Sequence, residues 1–201
     1  MLAELILACA PALDQRLVTA LIKQESGFNQ FAIGLDSKHK VRLSRQPKTA
    51  QEAVQTATEL EQKGYSFSVG LTQIHISNIK KWGLNWDQAF TPCTSLQISE
   101  SIFLSFYKIA QAAGYREQNA VYAALRGYNS GSVNAQVSNG YASAILTSAT
   151  QSAALKPQLK REAVKEPLQS VTKLAFASTP FVASTIPKQE EGERQEMKEN
   201  D

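Results

Sequence analysis

A chain of 201 residues with 43% hydrophobic content can bury a sizeable core, as one medium domain with an appendage or as two small domains. Its net charge of +3 lies upstream of residue 151, because residues 151–201 hold eight Lys/Arg against eight Asp/Glu, and so slight an excess does not argue for nucleic acid. No segment is apolar enough over a sufficient length to span a membrane. The two cysteines, Cys9 and Cys93, form no CxxC or Cys/His cluster that would suggest zinc.

At the N-terminus, Leu2, Leu5, Ile6, Leu7 and Ala8 look like a short signal core. No Lys or Arg precedes them, however, and Glu4 interrupts them, so Glu4 to Cys9 is read as the first turns of a domain helix and any export signal as absent or atypical. The next helix is predicted over Asp14 to Gln24, with Asp14 as N-cap and Gly27 and Asn29 as stop signals. Ile33 to Lys48 holds the breakers Gly34, Asp36 and Pro47 around the alternating Val41-Arg42-Leu43, which suggests a short hairpin. Thr49-Ala50-Gln51-Glu52 is a capping-box pattern for a helix burying Ala53, Ala57 and Leu60 and ending at Gly64. Further helices are predicted over Thr72 to Trp82, from Thr94 or Ser95 to Gly114 with Ile98, Ile102, Phe106 and Ile109 as its stripe, and over Glu117 to Arg126. Asn129, Gly131, Asn139 and Gly140 mark loops. From about residue 151, Pro157, Pro167, Pro180 and Pro187 and a charged end give a tail expected to stay poorly ordered, with Leu168 to Phe181 as its least polar stretch.

Glu25 has the chemistry of most interest. It continues the apolar face of Val18, Leu21 and Ile22, where burial and the negative end of the helix dipole would both favour the neutral carboxyl, as a general acid requires. Taken alone it reads more readily as a glutamate curling into solvent at a frayed helix end. Gln73, in Gly70-Leu71-Thr72-Gln73-Ile74, offers an amide suited to sugar hydroxyls and acetamido groups, or is a surface residue after a turn. Tyr128 and Asn129, in Gly127-Tyr128-Asn129-Ser130-Gly131, offer a ring for a pyranose face and a donor–acceptor pair, or a helix C-cap. Tyr141, after Gly140, is by itself a packing residue. Composition leaves Cys9 and Cys93 as one disulfide or as two buried thiols.

The order of these segments is more specific than any one of them. Glu25-Ser26, then Gly70-Leu71-Thr72-Gln73-Ile74, then Tyr128-Asn129-x-Gly131, then Gly140-Tyr141 resembles the lytic transglycosylases with a goose-type-lysozyme-like domain. The chain is most similar to the specialised lytic transglycosylases of type IV secretion systems. Cys9-Ala10-Pro11 before the Glu25 helix, Phe31-Ala32-Ile33-Gly34 after it, the insertion around Leu43-Ser44-Arg45-Gln46-Pro47 and Phe90-x-Pro92-Cys93 carry that likeness, which covers about residues 1–150.

The resemblance implies a mainly α fold (α+β, with a small β element expected from the Val41 region) as a domain over 1–150, followed by a flexible tail over 151–201. It implies cleavage of the β-1,4 bond between N-acetylmuramic acid and N-acetylglucosamine with closure of a 1,6-anhydro ring. Glu25 would be the sole acid and base, Gln73, Tyr128, Asn129 and Tyr141 would lie along the glycan, and Ser26 and Gly70 would be structural. It also implies a periplasmic location, a Cys9–Cys93 disulfide, no metal or cofactor, peptidoglycan as partner, and channel components as partners of the tail. The sequence agrees in one respect: no acidic residue follows Glu25 until Asp36, and Asp36 and Asp87 read as solvated turn residues. It departs in others: Gly34 stands where many relatives have serine, and His75 where many have Met or Asn. A hydrolytic muramidase on the same fold and a non-catalytic wall-binding assembly factor are the competing readings.

Overall fold

Local signals set the ends of the helix that carries Glu25. The Asp14 carboxylate accepts from the Arg16 amide at 2.8 Å, and Arg16 holds that carboxyl down to about 2 by its side-chain hydrogen bonds. At the other end Gly27 takes φ 58° and returns its N–H to the Lys23 carbonyl. The computed structural model, which describes residues 2–154, shows this helix, α2, over Gln15–Ser26; α1 is Leu2–Cys9. Most of residues 151–201, including the Leu168 to Phe181 segment, lie outside the described residues.

Three short strands follow as an antiparallel sheet in the order β1 (Ile33–Leu35), β2 (Phe67–Val69) and β3 (Ile74–His75). Ile33 pairs with Val69, Leu35 with Phe67, and Val69 with Ile74. The small β element is therefore real, but Val41-Arg42-Leu43 is not in it: that stretch is irregular and Val41 is exposed. The first strand is only the start of the expected hairpin, and its partner comes from beyond α3 (Ala50–Gln62), a pairing that alternation within one segment cannot reveal. Thr49 caps α3 through the Glu52 amide, while the Glu52 carboxylate reaches back to the Lys48 N–H rather than to Thr49.

Three helix boundaries also differ from the sequence reading. Thr72 and Gln73 precede β3, and only Ile76–Lys81 is helical (α4). After α5 (Trp86–Ala89), the long helix α6 (Pro92–Ala112) begins at a proline with Thr91 as N-cap, earlier than Thr94 or Ser95. Ile109 at its far end is exposed although Ile98 and Ile102 are buried. Helix α7 runs Glu117–Ser130 and stops at Gly131, φ 79°, so Tyr128 and Asn129 are helical rather than in a loop. Asn139 and Gly140 open α8 (Asn139–Ala154).

The core comes in connected sectors, and α2 belongs to two of them. Val18 and Ile22 pack with Ile6 and Cys9 of α1 and with Leu71 and Leu96, whereas Ala20 and Leu21 pack with Phe103, Ala124, Leu125, Ala142 and Ile145 of α6, α7 and α8. A third sector unites the sheet with α3 and α6 through Phe67, Val69, Ala53, Ala57 and Ile98. Each fully buried Leu or Ile contributes about 1.5–3 kcal/mol. Cys9 and Cys93 are joined as a disulfide that ties the end of α1 to the start of α6. Among the described residues, no helix is long and apolar enough to cross a membrane.

Candidate functional site

Glu25 occupies the last turn of α2, one residue before the helix ends at Ser26. The residue is half-buried. Burial of its carboxyl group pushes it up from the ordinary 4.5 to about 7, against a smaller opposing pull from a hydrogen bond with Tyr141. The Tyr141 hydroxyl, from the first turn of α8, donates to Glu25 Oε1. No neighbouring carboxylate contributes to the shift. Tyr141 is itself held far above the ordinary tyrosine value, by burial first and then by the Glu25 charge, so it remains a neutral donor.

The surroundings of Glu25 are fixed by hydrogen bonds to backbone carbonyls. Ser26 Oγ lies 2.7 Å from the Leu71 carbonyl and 3.2 Å from that of Ile22, pinning the helix end to the segment after β2. The Tyr128 hydroxyl donates to the Thr72 carbonyl at 2.9 Å and lies 3.0 Å from Ser99 Oγ. Burial and the charge of Glu25 push its ionisation up as well. Thr72 is anchored in turn by Ser95, whose Oγ is 2.8 Å from Thr72 Oγ1. Leu71 and Thr72 lie inside the Gly70 to Ile74 motif and Ser95 reads as a helix start, but nothing in the sequence marks these or Ser99 as holding the surroundings of Glu25, since a carbonyl acceptor is independent of residue type and a buried serine reads like any helix serine.

The remaining predicted site residues are placed differently. Gly70 takes φ 80°, its N–H bonds to the Ala32 carbonyl, and an added Cβ would approach the Ala89 carbonyl to 3.1 Å. Gln73, at φ 51°, is not in a helix; its Nε2 donates to the carbonyls of Ala32 and Gly70, both at 3.1 Å, and its Oε1 lies over Gly34. Its amide hydrogens therefore brace the turn that joins β2 to β3. Asn129 is exposed and donates to Ser138 Oγ at 2.9 Å. Among the described residues, neither Gln73 nor Asn129 is hydrogen-bonded to Glu25, whereas Tyr141 is bonded to it and Tyr128 lies within reach of its charge.

His75 caps α4 by accepting from the Ser77 amide at Nδ1, and its Nε2 lies 2.8 Å from Ser66 Oγ and 3.6 Å from Asp36 Oδ2. Asp36 is half-buried rather than solvated, and hydrogen bonds and cationic neighbours offset its burial to leave its carboxyl low. Among the described residues, no group of three or more His, Cys, Asp or Glu is placed to hold a metal ion.

The arrangement gives a desolvated, protonatable carboxyl with one oxygen fixed by a neutral phenol. Such a group can donate a proton near neutral pH and take one back, and among the described residues no second carboxylate contributes to its shift. The sequence profile of the family described as Transglycosylase SLT domain matches residues 5–151. Similar proteins include the Type IV secretion system protein virB1 of Brucella suis biovar 1, 39% identical over 125 residues covering 61% of this chain and 51% of the relative. Protein virB1 of Agrobacterium fabrum is 31% identical over 143 residues, covering 71% of this chain and 57% of the relative. The chain thus spans about half the length of the relatives it matches. No solved structure gives a significant match.

Proposed function

The chain belongs to the transglycosylase SLT domain family, and from that membership we propose that it is a peptidoglycan lytic transglycosylase with Glu25 as its single acid and base. The observation that carries the reading is the Glu25 carboxyl pushed up to about 7 by burial, with Tyr141 on one oxygen and, among the described residues, no carboxylate partner. Protonated Glu25 gives its proton to the oxygen between N-acetylmuramic acid and N-acetylglucosamine as the bond to C1 breaks. The muramyl O6 hydroxyl then attacks C1, and the Glu25 carboxylate takes the hydroxyl proton. The product is a 1,6-anhydro ring, no water enters, and the glutamate returns to its starting state. A glycosidase of the ordinary two-carboxylate kind would need a partner at defined separation. Tyr141 on Oε1 leaves Oε2 to carry the moving proton. Tyr128, braced on Thr72 and Ser99, lies close to the same carboxyl, while Gln73 and Asn129 serve the site through the turns they hold.

The relatives named for type IV secretion support a role in opening the wall locally for such an apparatus, and the Cys9–Cys93 disulfide suits an oxidising compartment such as the periplasm. The test is mass spectrometry of the products released from purified sacculi, wild type beside Glu25→Gln. Anhydro-muramyl ends from wild type alone are expected. Reducing ends carrying added water would identify a hydrolytic muramidase, and release by Glu25→Gln would overturn the assignment of the acid.

A further inference from the structure

Phe28 is the residue near Glu25 that the fold does not account for. Helix α2 needs one left-handed residue to stop, and Gly27 supplies it at φ 58°. Phe28 then adopts φ 68°, a second left-handed position in succession and one that a bulky side chain rarely takes. Asn, which tolerates that conformation better, stands one place later at Asn29. Burial does not offset the strain. Phe28 is 46% exposed and is not packed in any of the core sectors, whereas Phe31, Phe67, Phe90, Phe103 and Phe106 all are. Among the described residues it alone is both an exposed large apolar side chain and a left-handed one.

The turn that presents the ring is also rigid. On one side Ser26 is fixed to the Leu71 carbonyl, and the Asn29 amide bonds to the Ser26 carbonyl at 3.1 Å. On the other, Asn29 Oδ1 accepts from the Phe31 amide at 2.9 Å, and the Ala32 carbonyl is held by Gly70 and Gln73. In the chain Phe28 lies three residues after Glu25 and two before Gln30, which with Phe31 lines an open groove of about 220 Å3. Local propensity and packing both disfavour a phenylalanine here, and a local conflict of that kind, held by an over-determined turn, is the mark of a ligand contact. We propose that Phe28 is a substrate-binding residue whose ring forms a stacking platform for a sugar of the glycan strand, placing the strand against Glu25. The inference rests on the reading that the substrate is a peptidoglycan glycan. A pyranose presents an apolar face of C–H groups to such a ring, and a platform locked before binding loses little entropy on association.

The experiment measures binding rather than turnover. The 201-residue chain carrying Glu25→Gln is titrated with glycan strands stripped of their peptides, with Phe28 intact, with Phe28→Tyr and with Phe28→Asn. Phe28→Tyr is expected to bind within about twofold of the parent, and Phe28→Asn about tenfold more weakly, the loss of one aromatic contact. The thermal midpoint of Phe28→Asn should stay within about 2–4 °C of the parent, because asparagine suits the backbone and replaces a half-exposed ring. Equal binding by Phe28→Asn, or weaker binding accompanied by a steep fall in its midpoint, overturns the platform while leaving the proposed substrate intact. Failure of the parent protein to bind the strands at all would instead remove the glycan reading and this inference with it.

Discussion

The proton on Glu25 links the proposed activity to stability, and both favour the protonated form. Its folded-state value of about 7 is above the ordinary 4.5, so the folded state favours the protonated form. The carboxyl is therefore least costly to the fold below about pH 4.5, and its cost grows as pH rises through 7. Glu25→Gln removes that cost. We expect the variant to be more stable than wild type at pH 8 by at most about 3 kcal/mol and nearly equal to it at pH 4.5, as read by urea unfolding at the two values. A constant difference across the range would mean that Glu25 ionises as if it were in water. On the proposed role of Glu25 as the acid, kcat/KM should fall as pH rises through about 7, where that proton is lost. Tyr141→Phe deletes the hydrogen bond that opposes the upward shift, so the alkaline limb should move to higher pH while the rate falls about 10–100-fold for loss of a bond to a charged group. A pH–rate profile that kept its alkaline limb in Tyr141→Phe would show that the phenol does not act on Glu25.

At the scale of elements, the site depends on how β1 and the turn after β2 are braced together. Gln73 does this from its side chain, and Gly34 in β1 leaves room for it: a Cβ on Gly34 would come to 2.7 Å from Gln73 Oε1. Gly34→Ser should therefore displace the amide and weaken its bonds to Ala32 and Gly70, at a cost of about 1–2 kcal/mol in unfolding. Because both substitutions act on one brace, Gln73→Ala should cost less in the Gly34→Ser background than alone; additive effects in the double-mutant cycle would refute the coupling. The pair also shows where local reading of the chain succeeds and fails. Asp14, Gly27 and Thr49 announce the ends of α2 and α3 because a cap is a contact within a few residues. The sheet joins residues 33–35 to 67–69 across an intervening helix, so Val41-Arg42-Leu43 had the alternation but not the partner. Tyr128 and Asn129 were read past the end of α7 because Asn and Gly suit a C-cap, yet Gly131 is the residue that stops the helix. Glu25 is legible as a carboxyl continuing an apolar face, but its reading as an acid rests on the order of the motifs. Tyr141, which makes its direct hydrogen bond, had no local mark and was flagged by the order of motifs that carried the resemblance.

At the scale of the whole described unit, Glu25, Tyr128 and Tyr141 come from helices far apart in sequence, and the Cys9–Cys93 disulfide is a covalent tie between two helices beside them, α1 and α6. Composition allowed it and two buried thiols equally, because pairing depends on a geometry that residue counts do not contain. The bond spans 84 residues and encloses α2, the sheet and the start of α6, and with them Glu25, Ser26, Leu71, Thr72 and Gln73. Closing a loop of that size restricts the unfolded chain by about 4–5 kcal/mol in the chain-entropy account, with about 2–5 kcal/mol commonly lost when a native bridge is removed. On the same side Glu100 of α6 accepts from the Ala12 amide at 2.6 Å, and Ile6, Val18, Ile22 and Leu96 pack around the bridge. Cys9→Ser with Cys93→Ser, or reduction of the wild type, should therefore lower the denaturant midpoint by an amount equivalent to about 2–5 kcal/mol. Since α8 supplies Tyr141 from outside the bridged loop and packs on α2 through Leu21, Ala142 and Ile145, the Glu25 site should persist in the reduced protein wherever it remains folded. The measurement is the alkaline limb of the pH–rate profile at low temperature, oxidised against reduced. An unchanged limb with a lowered midpoint assigns the bridge to stability alone, whereas a displaced limb would show that it also positions the acid.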